Sequence, residues 1–149
     1  MRTVVQRVSR ACVTVNGAIT GEITTGLLIL LGAGRNDTSA VAASLAERIA
    51  NLRIFEDDKR QMNRSLLDVK GGALVVSQFT LYGDARGQRR PSFIAASPPD
   101  LAKKVYEDFC EVMRSLGLMV ATGVFGAMMS VELVNEGPVT ILLDSDKAF

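Results

Sequence analysis

Residues 71–82, GGALVVSQFTLY, constrain this 149-residue chain more than any other stretch. Residues 73–76 are an unbroken apolar run opened by two glycines, the pattern of a strand covered on both faces. Residues 26–32, GLLILLG, have the same character, being too short and too glycine-bounded for a helix, and read as a central buried strand. Strands of this kind require other elements laid over the sheet. Ser77, Gln78 and Thr80 then put three polar side chains around Phe79 where the core strand emerges. Small domains often place ligand sites where a rigid strand reaches the surface.

The pattern through Tyr82 stays extended. Side chains on a regular strand alternate between faces, so Ser77 and Phe79 point one way and Gln78 and Thr80 the other. Both hydroxyls reach one ligand only across a bulge or a strand end. The residues leave two readings open: a ligand site, or ordinary β-compatible Ser and Thr bonding to nearby backbone.

The rest of the chain supplies the cover. Residues 3–8 and 11–15 read as strands, and Asn16-Gly17 signals a type I′ hairpin because both positions tolerate positive φ. Arg7, a charge in the first strand, reads as a solvent-facing edge residue. Asp37 or Thr38 can cap a helix whose apolar stripe is Val41, Leu45, Ile49 and Leu52. Residues 55–70 are polar and read as a loop or short irregular connection. Ser97-Pro98-Pro99-Asp100 starts a second helix, with Ser97 as cap and Pro98 at the first helical position. That helix buries Leu101, Val105, Phe109, Val112, Met113 and Leu116 and stops at Gly117. Residues 119–125, 128–134 and 139–143 read as three further strands. The expected fold is therefore α+β in a single domain, a mostly antiparallel or mixed, barrel-like β-sheet with two packed helices.

The chain contains no histidine. This excludes Ser-His and Cys-His catalysis, the HExxH zinc motif and histidine as proton shuttle. Any chemistry must come from hydroxyls, carboxylates, amines, backbone groups or the substrate itself. Cys12 and Cys110 are far apart, with no CxxC pattern, and read as small buried hydrophobes of a reducing compartment. Asp57 and Asp58 lack further ligand spacing and read as solvated, so neither metal nor cofactor is expected. The longest apolar run, residues 27–31, falls far short of the ~20 residues of a membrane span, and the N-terminus lacks a signal-peptide pattern. A cytoplasmic protein is expected. Its 48% hydrophobic content hints at a buried partner interface. A net charge of +1 argues against a general nucleic-acid coat, yet Arg86, Arg89 and Arg90 crowd DARGQRRPSF directly after SQFTL. Such a loop holds phosphate beside a pocket, or is simply solvated.

Asn135-Glu136-Gly137-Pro138 reads as a turn between the last two strands. Gly-Pro also adopts a cis peptide at modest cost, which turns two consecutive carbonyls the same way, as acceptors for an ammonium group. SQFTL, NEGPVT at residues 135–140, FGAMM at residues 125–129 and the opening VVQRV with Arg7 together carry a resemblance that spans the chain. The sequence resembles the D-aminoacyl-tRNA deacylases of the bacterial and eukaryotic, D-tyrosyl-tRNA deacylase type. The second motif is often Asn-Asp-Gly-Pro in that family; Glu136 is a conservative departure that leaves Gly137-Pro138 intact.

The resemblance implies a homodimer that cleaves the ester joining a D-amino acid to the 3′ adenosine of tRNA. It implies that Gly137-Pro138 is cis and enters the partner subunit's site, where its carbonyls face the substrate amino group and leave no room for an L side chain. Glycine has no side chain to exclude, so glycyl-tRNA is an expected substrate as well. Ser77, Gln78, Phe79 and Thr80 would line the pocket, with backbone N–H groups placed to stabilise an oxyanion. Thr80 is the natural candidate for a nucleophile, but no base stands near it in sequence; water attack assisted by the ribose 2′-OH is preferred. Arg7 would brace the Gly-Pro turn, Met129 would contact the ligand, and Arg86, Arg89 and Arg90 would hold tRNA phosphate. The rival reading is a dimeric RNA- or nucleotide-binding module without hydrolytic activity.

Overall fold

The computed structural model describes residues 1–148. β1 (Arg2–Val15) is one strand where two were expected, and Asn16 (φ 51°) and Gly17 (φ 81°) turn it into β2 (Ala18–Ile23) as the hairpin signal requires. β3 (Gly26–Gly32) follows. Thr38, rather than Asp37, caps α1 (Ser39–Ala50), its Oγ1 accepting the Val41 N–H at 3.3 Å.

The polar stretch after α1 is more ordered than its composition suggests. β4 (Phe55–Glu56) and β5 (Met62–Arg64) form a small hairpin, and α2 (Leu66–Val69) is opened by a reciprocal cap between Ser65 and Asp68. Asp57 organises the hairpin turn by accepting the N–H groups of Lys59 and Gln61. Those bonds hold its carboxyl below the usual carboxylate range.

β6 (Gly72–Ser77) leads through a 3₁₀ turn (Phe79–Tyr82) and an irregular loop to α3 (Pro99–Ser115). The cap of α3 is Pro98, one residue later than expected. Ser97 is committed elsewhere: its N–H donates to Ala33 at 2.9 Å, and its hydroxyl is turned inward without a hydrogen-bond partner. β7 (Met119–Thr122) is shorter than expected, and residues 123–129 form a loop before β8 (Ser130–Asp144).

The main sheet has six strands in the order β2-β1-β3-β6-β7, with β8 on the other side of β1. β1 is antiparallel to β2, β3 and β8, whereas β3–β6 and β6–β7 are parallel, so the sheet is mixed. It curls until its ends nearly meet. A Cβ added to Gly21 of β2 would lie 2.4 Å from the Thr122 carbonyl oxygen of β7, so only glycine permits this approach.

The unbroken apolar runs of β3 and β6 serve two cores. Leu27, Ile29, Leu31, Ala73 and Val75 pack with α1 and α3, where Leu45, Ile49, Val105, Phe109 and Met113 are buried. Leu28, Leu74 and Val76 point the other way and meet Val8, Val13 and Ile23.

β8 differs most from expectation. It is one 15-residue strand where a turn between two strands was expected. Gln6 pairs with Thr140 and Val8 with Asn135, so residues 136–139 bulge out opposite Arg7 while both arms stay on β1. The Asn135 side chain spans the neck, accepting the Val139 N–H and donating to Thr140 Oγ1, each at 3.1 Å. Gly137–Pro138 within this bulge is a cis peptide.

Candidate functional site

β6 brings Ser77 to the surface as its last residue, and there the extended pattern expected through Tyr82 ends. Gln78 (φ −144°, ψ 81°) donates its N–H to Leu31 at 2.8 Å, keeping the chain on β3 for one more step, and the 3₁₀ turn begins. The strand end resolves the geometric problem set by alternation: Ser77, Gln78, Phe79 and Thr80 all line one cleft of about 860 Å³. Phe79 and Phe93 meet edge to face at 5.1 Å in its wall, and Tyr106, Phe125 and Met129 continue the apolar lining.

Polar groups in the cleft are few. The Gln78 side-chain amide donates to Thr80 Oγ1. The N–H groups of Phe79 and Thr80 open the 3₁₀ turn, where no earlier turn offers acceptors, and they donate to no acceptor among the described residues. Tyr106 gives its hydroxyl proton to the Val75 carbonyl at 2.9 Å, and burial pushes that hydroxyl well above its ordinary pKa. Among the described residues lining the cleft no side chain is a carboxylate, amine or thiol, and the one amine, the Met1 terminus, is ion-paired with Asp37 at 2.6 Å. The described lining residues thus offer no side-chain base, while two unengaged backbone donors suit a carbonyl oxygen that acquires negative charge.

The expectation of a solvent-facing Arg7 is overturned. Arg7 is 4% exposed, because its side chain is covered by the bulge of β8 at Glu136 and Gly137 and by the segment at Ile54. Its Nε donates to the Glu136 carbonyl at 3.2 Å and its Nη1 to the Ile54 carbonyl at 2.7 Å. The guanidinium also lies against Gly137, where an added Cβ would be 2.9 Å from Nη2. Gly137 (φ 122°) and Pro138 stand exposed on the bulge and do not line the cleft of their own chain, nor does Arg7. Met129 does.

Arg86, Arg89 and Arg90 lie on a loop closed by an antiparallel bridge between Asp84 and Ser92. Arg86 is committed to Asp84 at 2.7 Å, a contact that holds the Asp84 carboxyl well below the usual range. Arg89 and Arg90 are exposed and make no ion pair among the described residues. None of the three lines the cleft, although the loop returns into it at Phe93. No group of three or more His, Cys, Asp or Glu side chains able to hold a metal ion exists among the described residues. Sequence reasoning missed Arg35, Phe93 and Tyr106. Arg35 had a usable signal, since it follows β3 as SQFTL follows β6, and parallel neighbours end on the same side of a sheet.

The family model described as D-Tyr-tRNA(Tyr) deacylase matches residues 4–144. The D-aminoacyl-tRNA deacylase of Koribacter versatilis (strain Ellin345) is 62% identical over 149 residues, covering 100% of each chain. That of Fervidobacterium nodosum (strain ATCC 35602 / DSM 5306 / Rt17-B1) is 55% identical over 149 residues, again covering 100% of each chain. Among solved structures, a c-Myc DNA unwinding element binding protein superposes with a TM-score of 0.90 at 39% identity, covering 97% of this chain and 98% of the other. "A probable eukaryotic D-amino acid tRNA deacylase" superposes with a TM-score of 0.79 at 19% identity, covering 95% and 97%, a likeness of fold.

Proposed function

We propose, from the premise that this chain belongs to the D-Tyr-tRNA(Tyr) deacylase family and is a hydrolase of D-aminoacyl-tRNA, a mechanism in which backbone and substrate groups perform the chemistry. The observation that carries it is the cleft: Phe79 and Thr80 offer free N–H donors in an apolar wall, with no side-chain base among its described lining residues. The two N–H groups stabilise the oxyanion of the tetrahedral intermediate. The attacking water passes its proton to the 2′-OH of the terminal ribose, which hands its own proton to the departing 3′ oxygen, being both acceptor and donor. Ser77, Gln78 and Thr80 shape the floor, Met129 contacts the amino acid, and no metal or cofactor takes part.

The chiral filter is the bulge of β8. Gly137-Pro138 works in the partner subunit's cleft of a homodimer, its carbonyls facing the substrate ammonium and its backbone occupying the space an L side chain would need. Glycyl-tRNA passes because it has no side chain to exclude. Support comes from the position of the bulge, outside its own cleft and tethered by Arg7, and from exposed Val134 and Leu142 on β8. Arg86, Arg89 and Arg90 contribute tRNA phosphate contacts, and the enzyme acts in the cytoplasm. No helix among the described residues is long and apolar enough to cross a membrane.

Two inactive variants test the arrangement, one altered at Thr80 and Phe79, the other at Gly137 and Pro138. Mixed dimers refolded from both regain one intact site if the bulge serves the partner. If it serves its own subunit, they stay inactive. A terminal 2′-deoxyadenosine substrate should react far more slowly; normal deoxy turnover together with an inactive Thr80→Ala would make the Thr80 hydroxyl the catalyst. A second reading, a nucleic-acid-binding module without turnover, is favoured by the name of the DNA unwinding element binding protein. Nucleic-acid binding by the purified wild type without any turnover would favour it over hydrolysis.

A further inference from the structure

Arg35 is the one charged side chain among the described residues that line the cleft. The segment after β3 holds it in place: Gly34 bridges to Ala96, and the Gly34 N–H donates to Asp37 at 2.6 Å. Arg35 Nε donates to the carbonyl of Ile94, which fixes the side chain at the rim beside Phe93. With Nε engaged, both terminal nitrogens remain as a planar pair of donors, the geometry that fits an oxyanion with two oxygens. No carboxylate among the described residues pairs with it.

The substrate carries opposite charges at its two ends. The amino acid bears an ammonium group, and the terminal adenosine bears a 5′-phosphodiester. The Met1 ammonium, also at the cleft, is neutralised by Asp37, so the Arg35 guanidinium at the rim is the unpaired charge that repels the first and attracts the second, and it gives the substrate a direction. We infer that Arg35 is a positioning residue that holds the terminal 5′-phosphate at the rim, so that the ester enters toward Phe79 and Thr80 and the ammonium faces away. This rests on the reading of the cleft as the aminoacyl-tRNA site. It differs from the role of Arg89 and Arg90, which lie outside the cleft and meet the tRNA at large.

The test uses two small substrates, a 3′-D-aminoacyl-adenosine without phosphate and the same ester carrying a 5′-phosphate. The quantity read is the ratio of kcat/KM with and without phosphate, so a general loss of folding or activity cancels. In the wild type at low salt the ratio should be roughly ten. Arg35→Ala should bring it to about one, Arg35→Lys should retain part of it, and added salt should shrink it in the wild type and in Arg35→Lys but not in Arg35→Ala. An unchanged ratio in Arg35→Ala, or a wild-type ratio of about one, overturns the inference. Hydrolysis of neither ester by the folded wild type overturns the reading of the cleft, and Arg35 with it; hydrolysis of both with no phosphate effect overturns the role of Arg35 alone.

Discussion

Replacing Arg7 by methionine removes the guanidinium while keeping an unbranched stem in the core. Two backbone carbonyls lose a charged donor, Ile54 at 2.7 Å and Glu136 at 3.2 Å. A buried acceptor left unpaired costs about 1–3 kcal/mol. The Ile54 carbonyl, met at the shorter distance inside the core, belongs near the top of that range. The Glu136 carbonyl sits on an exposed bulge, where water replaces part of the bond, and belongs near the bottom. The gross loss is therefore about 3–4 kcal/mol. It is offset because the guanidinium, 4% exposed and facing carbonyls rather than a carboxylate, no longer has to be stripped of water. A net loss of ~2 kcal/mol remains, which for a domain of this size lowers Tm by about 4–8 °C. The functional effect should be larger than the thermal one. Only the Asn135 side chain would still tie the bulge, and D-aminoacyl-tRNA turnover should fall at least about tenfold with the fold intact. Calorimetry and deacylation on the same preparation check both values. Unchanged Tm and unchanged turnover would refute the account of Arg7 as the brace of residues 136–138.

Three other outcomes follow from the same geometry. Gly137→Ala places a Cβ 2.9 Å from both Arg7 Nη2 and Val139 Cγ2, at a φ of 122° that side chains rarely adopt. It should cost roughly 1–3 kcal/mol of local strain and most of the D-substrate turnover, with circular dichroism unchanged; wild-type kinetics would contradict it. Arg89 and Arg90 changed together to alanine should raise KM for aminoacyl-tRNA and flatten its salt dependence, with kcat less affected, as steady-state assays at two ionic strengths would show. Burial pushes the Cys110 thiol up to about 11 from 9.0. The folded state then keeps a proton that the unfolded state releases first, so this contribution is intact below pH 9 and is lost as pH rises toward 11. Urea midpoints should decline across that window, and Cys110→Ala should flatten the decline.

How much was legible in the sequence depended on whether a residue's role was local. The runs of β3 and β6 announced strands buried on both faces, because an apolar run without alternation leaves few other places to put it. The hairpin at Asn16-Gly17 and the stripes of α1 and α3 were equally local. Arg7 was misread because its burial comes from β8, more than a hundred residues away, and nothing in VVQRV distinguishes an edge strand from one flanked on both sides. The Asn135–Pro138 segment was read as a turn because Gly and Pro leave the ladder in turns and bulges alike; only the pairing of both arms with β1 separates the two. Ser97 looked like a cap, but its hydroxyl is turned inward, away from the helix N–H groups. In the cleft, SQFTL was visible as a polar cluster after a core strand. Phe93, Tyr106 and Arg35 come from three other segments, and only the folded sheet brings them to the same wall.

The most direct test is deacylation of matched D-, L- and glycyl-tRNA by the purified wild-type protein, followed over time with chelator present. Hydrolysis of the D- and glycyl esters, with the L ester at the background rate, is the predicted result. Equal hydrolysis of D and L esters would contradict selection by the bulge of β8, and no hydrolysis of any of them would contradict the enzymatic reading itself.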